Sequence, residues 1–195
     1  MIARNDGQLG LEEDDIDDIL YLVRTNDRDE LDGLLSTLSQ KYTASESAVL
    51  QSSVADGSGN TAVHFAAANG LTDLLKHILD ILQLSQSSDF VNKRNQSGNT
   101  ALHWSSLNGH LATTTALVEA GADIWLRNSA GNLAVFEAER AGKDDIVAYL
   151  LKVGGTEKET EGEINAGDGA VEASMSMDET VEATSEDLAA TDLNR

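Results

Sequence analysis

The chain has 195 residues, 41% of them hydrophobic and 4% aromatic, so it can bury a mainly aliphatic core. Its 34 acidic residues against 13 basic ones give a net charge of −21, which argues against a nucleic acid or an anionic membrane as ligand and favours a basic protein. Cysteine is absent, which excludes disulfides, thiolate nucleophiles and cysteine metal sites.

The N-terminal part of the chain is acidic. Residues 1–18 carry seven acids and one base, and we predict a flexible acidic segment over residues 1–12. Helical apolar spacing follows over residues 19–27 and 30–38, and it predicts a first, faint repeat at about 13–40. Asp27 stands where the later copies carry glycine.

Three clearer copies of one motif follow. GNTAVHFAAANG, residues 59–70, recurs 39 positions later as GNTALHWSSLNG, and 33 positions after that as GNLAVFEAERAG. Each copy predicts a short helix, a glycine in the left-handed region and then a second helix. In the copy that begins at residue 59, the apolar face of the second helix holds Leu74, Leu75, Ile78, Leu79 and Leu82. We predict repeats at about 57–84, 96–122 and 129–154, with a lengthened polar loop around residues 83–90.

The motif resembles the ankyrin repeat, G-x-T-P-L-H-x-A-A-x-x-G followed by a leucine-rich helix and G-A-D, which residues 119–123 match as EAGAD. The resemblance implies an all-α fold, a solenoid of four helix-turn-helix repeats with hairpin loops. Alanine replaces the proline of the motif in all three copies, and Leu133 and Phe136 replace the threonine and histidine of the last. Thr113 and Thr114 stand where the family prefers valine, so each hydroxyl needs a partner, which we expect to be a carbonyl one turn back.

The histidines are the first candidates for chemistry. The resemblance implies that His64 and His103 join a hydrogen-bond network with the nearby threonine and the loop backbone, whereas we expect His77 and His110 on the surface. No two histidines have a metal-site spacing, and no nucleophile motif or phosphate-binding loop is visible. We therefore expect no catalytic site, no metal and no cofactor, and so not an enzyme.

Ankyrin stacks bind partners along their concave side, which is formed by the hairpin tips and the first helix of each pair. Carried over position by position, this resemblance implies partner contacts at Tyr21, Asn26, Asn60, Asn69, Asn99, Leu107, Asn108, Asn132 and Arg140. The acidic run beside them adds Asp14, Asp17 and Asp18.

Three aromatic residues occupy positions that need explanation. Phe65 and Trp104 follow the repeat histidines, where they either pack between repeats or contact a partner. Trp125 follows the G-A-D turn and is predicted on a connecting hairpin, where an exposed tryptophan favours a partner contact over a structural role.

The C-terminal segment, residues 155–195, is predicted to be an acidic disordered tail, because it combines high charge with few large apolar residues. Residues 156–195 carry twelve acids and two bases. The tail either only keeps the protein soluble or also screens a basic partner.

Further segments narrow the resemblance. TALHWSSLNG, WLRN, VFEAERAGK and the acidic tail are similar to small fungal ankyrin-repeat chaperones that are dedicated to a KH-domain protein of the small ribosomal subunit. This resemblance implies a monomeric escort that holds a basic helix of that protein in its concave groove, keeps it soluble and shields its RNA-binding surface until ribosome assembly. The alternatives are a regulatory ankyrin adaptor or inhibitor of a protein kinase, and a subunit that targets a catalytic partner.

We expect the protein in the cytoplasm and the nucleus. No secretory leader and no apolar run of membrane-spanning length is visible in the sequence.

Overall fold

The computed structural model describes residues 9–55, 57–83 and 88–162. Within them the chain forms helices joined by loops and hairpins, with isolated β-bridges at the bases of two hairpins. The helices are α1 Glu13–Thr25, α2 Arg28–Tyr42, α3 Glu46–Ser52, α4 Ala62–Ala68, α5 Thr72–Gln83, α6 Ala101–Asn108, α7 Leu111–Glu119, α8 Ala134–Arg140 and α9 Asp144–Gly162, with a turn of 3₁₀ helix at Ser88–Phe90.

The helices form two layers. The first helices of the four pairs, α1, α4, α6 and α8, stack side by side, and α2, α3, α5, α7 and α9 form a second layer behind them. Contacts within the first layer are more extensive than those between α5, α7 and α9, so the stack curves towards the first helices. The first layer therefore forms the concave side of the protein, as the all-α solenoid prediction requires.

Each layer is held by the residues that the repeat pattern predicts. The apolar face of α5, including Leu75 and Ile78, is fully buried between the layers. Ala66 and Ala67 of α4 are also fully buried, and their small side chains allow the neighbouring first helices to approach closely.

Glycines in the left-handed region follow the first helices of three repeats. Gly109 has a φ of 84° at the end of α6, and Gly70 and Gly142 have φ values of 69° and 66° in the equivalent turns. In the first repeat Asn26 takes this position with a φ of 60°, so the alignment of Asp27 with these glycines is wrong by one residue. Asp27 instead caps α2, because its carboxylate accepts a hydrogen bond from the backbone N–H of Glu30 at 3.2 Å.

The hairpins are joined from repeat to repeat by hydrogen bonds. Each hairpin donates one backbone N–H to a carbonyl of the preceding hairpin, Gln96 to Ser58 at 2.9 Å and Ser129 to Ser97 at 3.0 Å. A side-chain amide repeats the connection, with Asn95 Nδ2 donating to Asn60 Oδ1 and Asn128 Nδ2 to Asn99 Oδ1, both at 2.9 Å. We call this series the hairpin ladder.

His64 and His103 belong to the same system. His64 Nδ1 accepts from the backbone N–H of Thr61 at 3.2 Å, so its Nε2 carries the proton and donates to the Asn99 carbonyl at 3.0 Å. His103 repeats this with Thr100 and the Asn132 carbonyl. Burial lowers the pKa of His64 to about 4 and also lowers the pKa of His103. The predicted structural network is confirmed for both residues.

His77 and His110, which the sequence places on the surface, are each half-buried and have a partner in the preceding repeat. His77 Nε2 lies 2.6 Å from Asp32 Oδ1 and joins α5 to α2. The His110 ring packs over Gly70, and its Nε2 lies 3.1 Å from the Ala68 carbonyl. Both side chains therefore connect neighbouring repeats.

The hydroxyls of Thr113 and Thr114 have other partners than the predicted carbonyls. Thr113 Oγ1 lies 2.8 Å from Thr72 Oγ1 in the preceding repeat, and Thr114 Oγ1 donates to Ser105 Oγ at 2.9 Å. Side-chain hydroxyls therefore satisfy both threonines inside the stack.

The N-terminal boundary of the fold differs from the prediction. Residues 9–12, which were predicted to be flexible, pack onto the first repeat, where Leu11 is buried and the backbone N–H of Glu12 donates to the Tyr42 hydroxyl at 3.0 Å. The helix α3 was not predicted either; Ser45 caps it by accepting from the N–H of Ala48.

At the other end, α9 continues to Gly162, past the predicted end of the last repeat at residue 154. Residues 163–195 of the predicted tail, residues 1–8 of the predicted flexible segment and residues 84–87 of the predicted loop lie outside the described residues.

Candidate partner-binding surface

An aromatic column crosses the concave side. Tyr21, Phe65 and Trp104 each lie five residues before the left-handed residue of their repeat, so they occupy equivalent places on α1, α4 and α6. Tyr21 is 59% exposed, whereas Phe65 and Trp104 are half-buried. The Arg24 guanidinium lies 5.2 Å from the centroid of Phe65. Both rings therefore pack against the stack in part, and their contact with a partner stays a prediction.

Glu137 takes the fourth place of this column and was not identified from the sequence. Its carboxylate is 6% exposed and accepts hydrogen bonds from Asn128 Nδ2, Asn132 Nδ2 and the Arg140 guanidinium. Burial alone raises the pKa of Glu137, but these bonds outweigh it and lower the pKa below its usual value. The aromatic column therefore ends in a buried carboxylate at the last repeat.

A second row of residues follows the aromatic column on the concave side. Asn69 and Asn108 are exposed at the ends of their helices, and Asn108 Nδ2 donates to the Ala68 carbonyl at 2.7 Å. Leu107 is half-buried, and Arg140 is exposed while it pairs with Glu137. The backbone of Asn26 holds the left-handed turn, and its side chain is exposed.

The four aspartates of α1 divide into two groups. Asp14, Asp17 and Asp18 are exposed and share one face of the helix with Tyr21, at positions i, i+3, i+4 and i+7. Asp15 points elsewhere and accepts hydrogen bonds from the Tyr42 hydroxyl and from Lys41 Nζ. Burial raises the pKa of Asp15, but these two hydrogen bonds lower it by more, so the pKa of Asp15 lies below its usual value. Only the first group is therefore available to a partner as an acidic surface.

Three predicted contact residues, Asn60, Asn99 and Asn132, are half-buried members of the hairpins. Asn60 and Asn99 each accept a hairpin-ladder bond through Oδ1, and Asn132 donates to Glu137. These side chains therefore already have structural partners, and their contact with another protein stays a prediction.

Trp125 lies apart from the concave column, on the hairpin before α8. It is 48% exposed, and its indole packs against Gly154 of α9. A Cβ at residue 154 would lie 3.1 Å from Trp125 Cζ2, so the glycine allows the ring to lie close to the helix. Phe136, which sequence reasoning did not select, is also 48% exposed on the same repeat.

The described residues offer surfaces for binding. Over the parts of the chain that the structure describes, no group of three or more His, Cys, Asp or Glu side chains is arranged to hold a metal ion. A helix long and apolar enough to cross a bilayer is likewise not found among residues 9–55, 57–83 and 88–162.

The repeat geometry agrees with comparisons to known proteins. The model of the family described as ankyrin repeats in three copies matches residues 33–128 and 84–162. The chain belongs to the ankyrin-repeat family. It is 35% identical over 147 residues to the ankyrin repeat-containing protein YAR1 of Saccharomyces cerevisiae, which covers 73% of this chain and 70% of the yeast protein. It is also 30% identical over 99 residues to the nuclear factor NF-kappa-B p105 subunit of Rattus norvegicus, of which the match covers 10%.

A solved structure is similar as well. It is described as the crystal structure of the yeast ribosomal protein Rps3 in complex with its chaperone Yar1. The matching chain is 38% identical, with a TM-score of 0.66, over 73% of this ankyrin chain and 94% of the solved one. The similarity therefore extends over almost the whole of the solved chain.

Proposed function

We propose that this protein is a dedicated escort of a basic ribosomal protein of the small subunit, which it keeps soluble until ribosome assembly. The observation that carries the proposal is the similarity to YAR1 across 70% of its length, together with the structural similarity to a complex of Rps3 with its chaperone Yar1. A ribosomal protein free of RNA is strongly basic, and the net charge of −21 complements it.

The concave side provides the surface for this partner. We propose that a basic amphipathic helix of a KH-domain ribosomal protein lies along Tyr21, Phe65 and Trp104, with its basic side chains towards Asp14, Asp17 and Asp18. Aromatic side chains give an apolar partner face a large contact area, and the exposed carboxylates attract its cations. Binding then needs no catalytic step, and the acidic C-terminal residues shield the rest of the basic surface.

The acidic face of α1 can be tested by charge removal. The variant with Asp14, Asp17 and Asp18 changed to Asn should bind the ribosomal protein about tenfold more weakly, since three exposed ion pairs at about 0.5 kcal/mol each amount to about 1.5 kcal/mol. The control changes three exposed acids of the outer helices, Asp29→Asn, Asp80→Asn and Glu119→Gln, which removes the same charge from the convex side.

Isothermal titration with the purified KH-domain protein at about 0.05 and 0.3 M salt measures both affinities and their salt dependence. The wild type should lose affinity with salt, and the α1 variant should lose less. Equal weakening by the two triple variants would place the partner elsewhere. Capture of a protein kinase as the main partner from extract would support the regulatory alternative instead.

We also propose that the escort works in both the cytoplasm and the nucleus. A protein of 20.7 kDa can follow its partner between compartments by its small size or by joint import. Imaging of the tagged full-length chain with and without the ribosomal partner tests this, and strict exclusion from either compartment would contradict it.

A further inference from the structure

The C-terminal end of the stack exposes large apolar side chains at positions that are buried in the internal repeats. His64 and His103 are each 2% exposed, whereas Phe136 at the equivalent place of the last repeat is 48% exposed. On the second helices, Leu79 is 3% exposed and the equivalent Leu151 is 62% exposed. A terminal repeat that caps a solenoid normally presents a polar outer face, so this end lacks its cap within the described residues.

The internal repeats show what fits this end. A Cβ at Gly59 would lie 3.2 Å from the Gln96 backbone nitrogen, and one at Gly98 would lie 2.7 Å from that of Ser129, because the next hairpin sits directly on each glycine. At Gly131 nothing lies within 4 Å among the described residues. A cavity of about 530 Å³ opens there, lined by Arg127, Gly131, Asn132, Phe136, Glu139 and Arg140. We call this cavity and its lining the terminal socket.

The terminal socket has the same hydrogen-bond acceptors that each internal hairpin offers to the next hairpin. The Ala130 carbonyl is equivalent to the Ser58 and Ser97 carbonyls, which accept from the next hairpin. Asn132 Oδ1 is equivalent to Asn60 Oδ1 and Asn99 Oδ1, which accept from the next asparagine. The expected occupant is therefore a glycine-containing turn with a backbone N–H donor and an amide side chain.

The chain itself contains a sequence of this kind after the described residues. The sequence GDGAV, residues 167–171, matches the hairpin ends GNTAV, GNTAL and GNLAV that begin at residues 59, 98 and 131. It begins 36 residues after Gly131, close to the spacings of 39 and 33 between the other copies. Asn165 precedes it, as Asn95 and Asn128 precede the internal turns, with one residue fewer before the glycine.

The segment begins shortly after the last helix. The helix α9 ends at Gly162, and the five residues from there to Gly167 can span about 17 Å when extended. The lining of the terminal socket holds Arg127, Arg140 and the exposed Glu139, and Arg140 already pairs with Glu137. The sequence match and its spacing, rather than net charge, therefore select this segment.

We propose that residues 164–173 bind the terminal socket as a shortened fifth repeat, with the turn at Gly167 seated on Gly131 and covering Phe136. The acidic residues after 173 then leave the stack from its C-terminal end. The inference goes beyond the proposed escort function and needs no partner, so it can be tested on the protein alone.

Engineered disulfides test the contact, because the native chain has no cysteine. The Ala130→Cys, Ala166→Cys variant joins the residues equivalent to Ser97 and Ser129, whose backbones are bonded at 3.0 Å. The Ser97→Cys, Ser129→Cys variant is the positive control, and Ala130→Cys with Ala190→Cys reports a pair joined by a longer tether in the same full-length chain. The equilibrium with glutathione gives the effective concentration of each thiol pair.

Since the chain is folded up to Gly162, the flexible tethers to residues 166 and 190 are 4 and 28 residues long, and the −3/2 power of these lengths alone gives a ratio of about twentyfold. The deciding comparison therefore keeps the tether constant. Adding Val171→Asp should lower the effective concentration of the 130–166 pair at least about tenfold, whereas Val181→Asp should leave it unchanged. An unchanged effective concentration in the Val171→Asp variant, or disulfides formed mainly between two chains, would overturn the proposal.

Discussion

The enclosed imidazole of His64 makes the stability of the stack depend on pH. The ring is neutral in the folded protein, because its Nδ1 accepts from Thr61 and its Nε2 donates to the Asn99 carbonyl. Adding a proton to Nδ1 would oppose the Thr61 donor and place a charge inside the stack. The folded protein therefore resists protonation of His64, and the unfolded chain does not.

The size of the effect follows from the two pKa values. The pKa is about 4 in the folded state and 6.5 for an unperturbed histidine, so between these values the unfolded state binds more protons. The contribution of His64 is complete above about pH 6.5 and is lost as the pH falls towards 4. The loss amounts to about 2 kcal/mol at pH 5 and approaches about 3 kcal/mol below pH 4.

Urea unfolding of the full chain, followed by circular dichroism between pH 7 and pH 5, measures this loss. His64→Gln should be less stable at pH 7 but should lose about 2 kcal/mol less than the wild type on acidification. The matched control is His77→Gln, which changes an imidazole that pairs with Asp32 in the outer layer. This variant keeps His64, so it should still lose about 2 kcal/mol through that residue on acidification. If His64→Gln and the wild type show the same change between pH 7 and 5, the imidazole network does not control acid stability.

Two further substitution pairs test the packing of the stack. Gly98→Ala and Gly142→Ala both place alanine at a positive φ, at a cost of about 1 kcal/mol. Only the new Cβ at residue 98 also meets the Ser129 backbone, so Gly98→Ala should lower the free energy of unfolding by about 1–3 kcal/mol more, as measured by thermal or urea unfolding. Similar losses for the two would mean that the hairpins do not pack closely. Leu75→Ala, in the core, should lower the free energy of unfolding by about 2–5 kcal/mol, whereas Leu151→Ala should change it by less than about 0.5 kcal/mol. A loss at Leu151 as large as that at Leu75 would show that the Leu151 side chain is packed in the folded protein.

The repeated part of the fold could be predicted because its signals are periodic. The glycines at 70, 109 and 142 and the apolar face of α5 recur at fixed offsets, so spacing alone locates the helix pairs. The threonine–histidine network also recurs, and the family resemblance gave its role.

The remainder depends on contacts that occur once. The helix α3 and the packing of Leu11 have no counterpart in other repeats, and the short run around Val49 and Leu50 has no clear helical period. His77 and Thr113 find partners in the preceding repeat, 45 and 41 residues away, which no local rule identifies. Partner choice across repeats therefore requires the three-dimensional structure.

The candidate surface also combines residues that the repeat pattern predicts with residues whose contacts occur once. The equivalence of Phe65 and Trp104 was visible in the aligned motifs, and the structure adds Tyr21 to their column through the turn at Asn26. The role of Glu137 was not predictable, because its partners Asn128 and Asn132 come from a hairpin whose geometry the sequence does not specify.

The hairpin ladder has a direction that matters during synthesis. The Nε2 proton of His64 is accepted by a carbonyl of the third repeat, and that of His103 by a carbonyl of the fourth. Since translation proceeds from the N-terminus, the second and third repeats leave the ribosome before the repeat that carries the acceptor of their histidine, and until then water takes its place. A chain that stops after the third repeat would therefore leave the Nε2 proton of His103 without its protein acceptor.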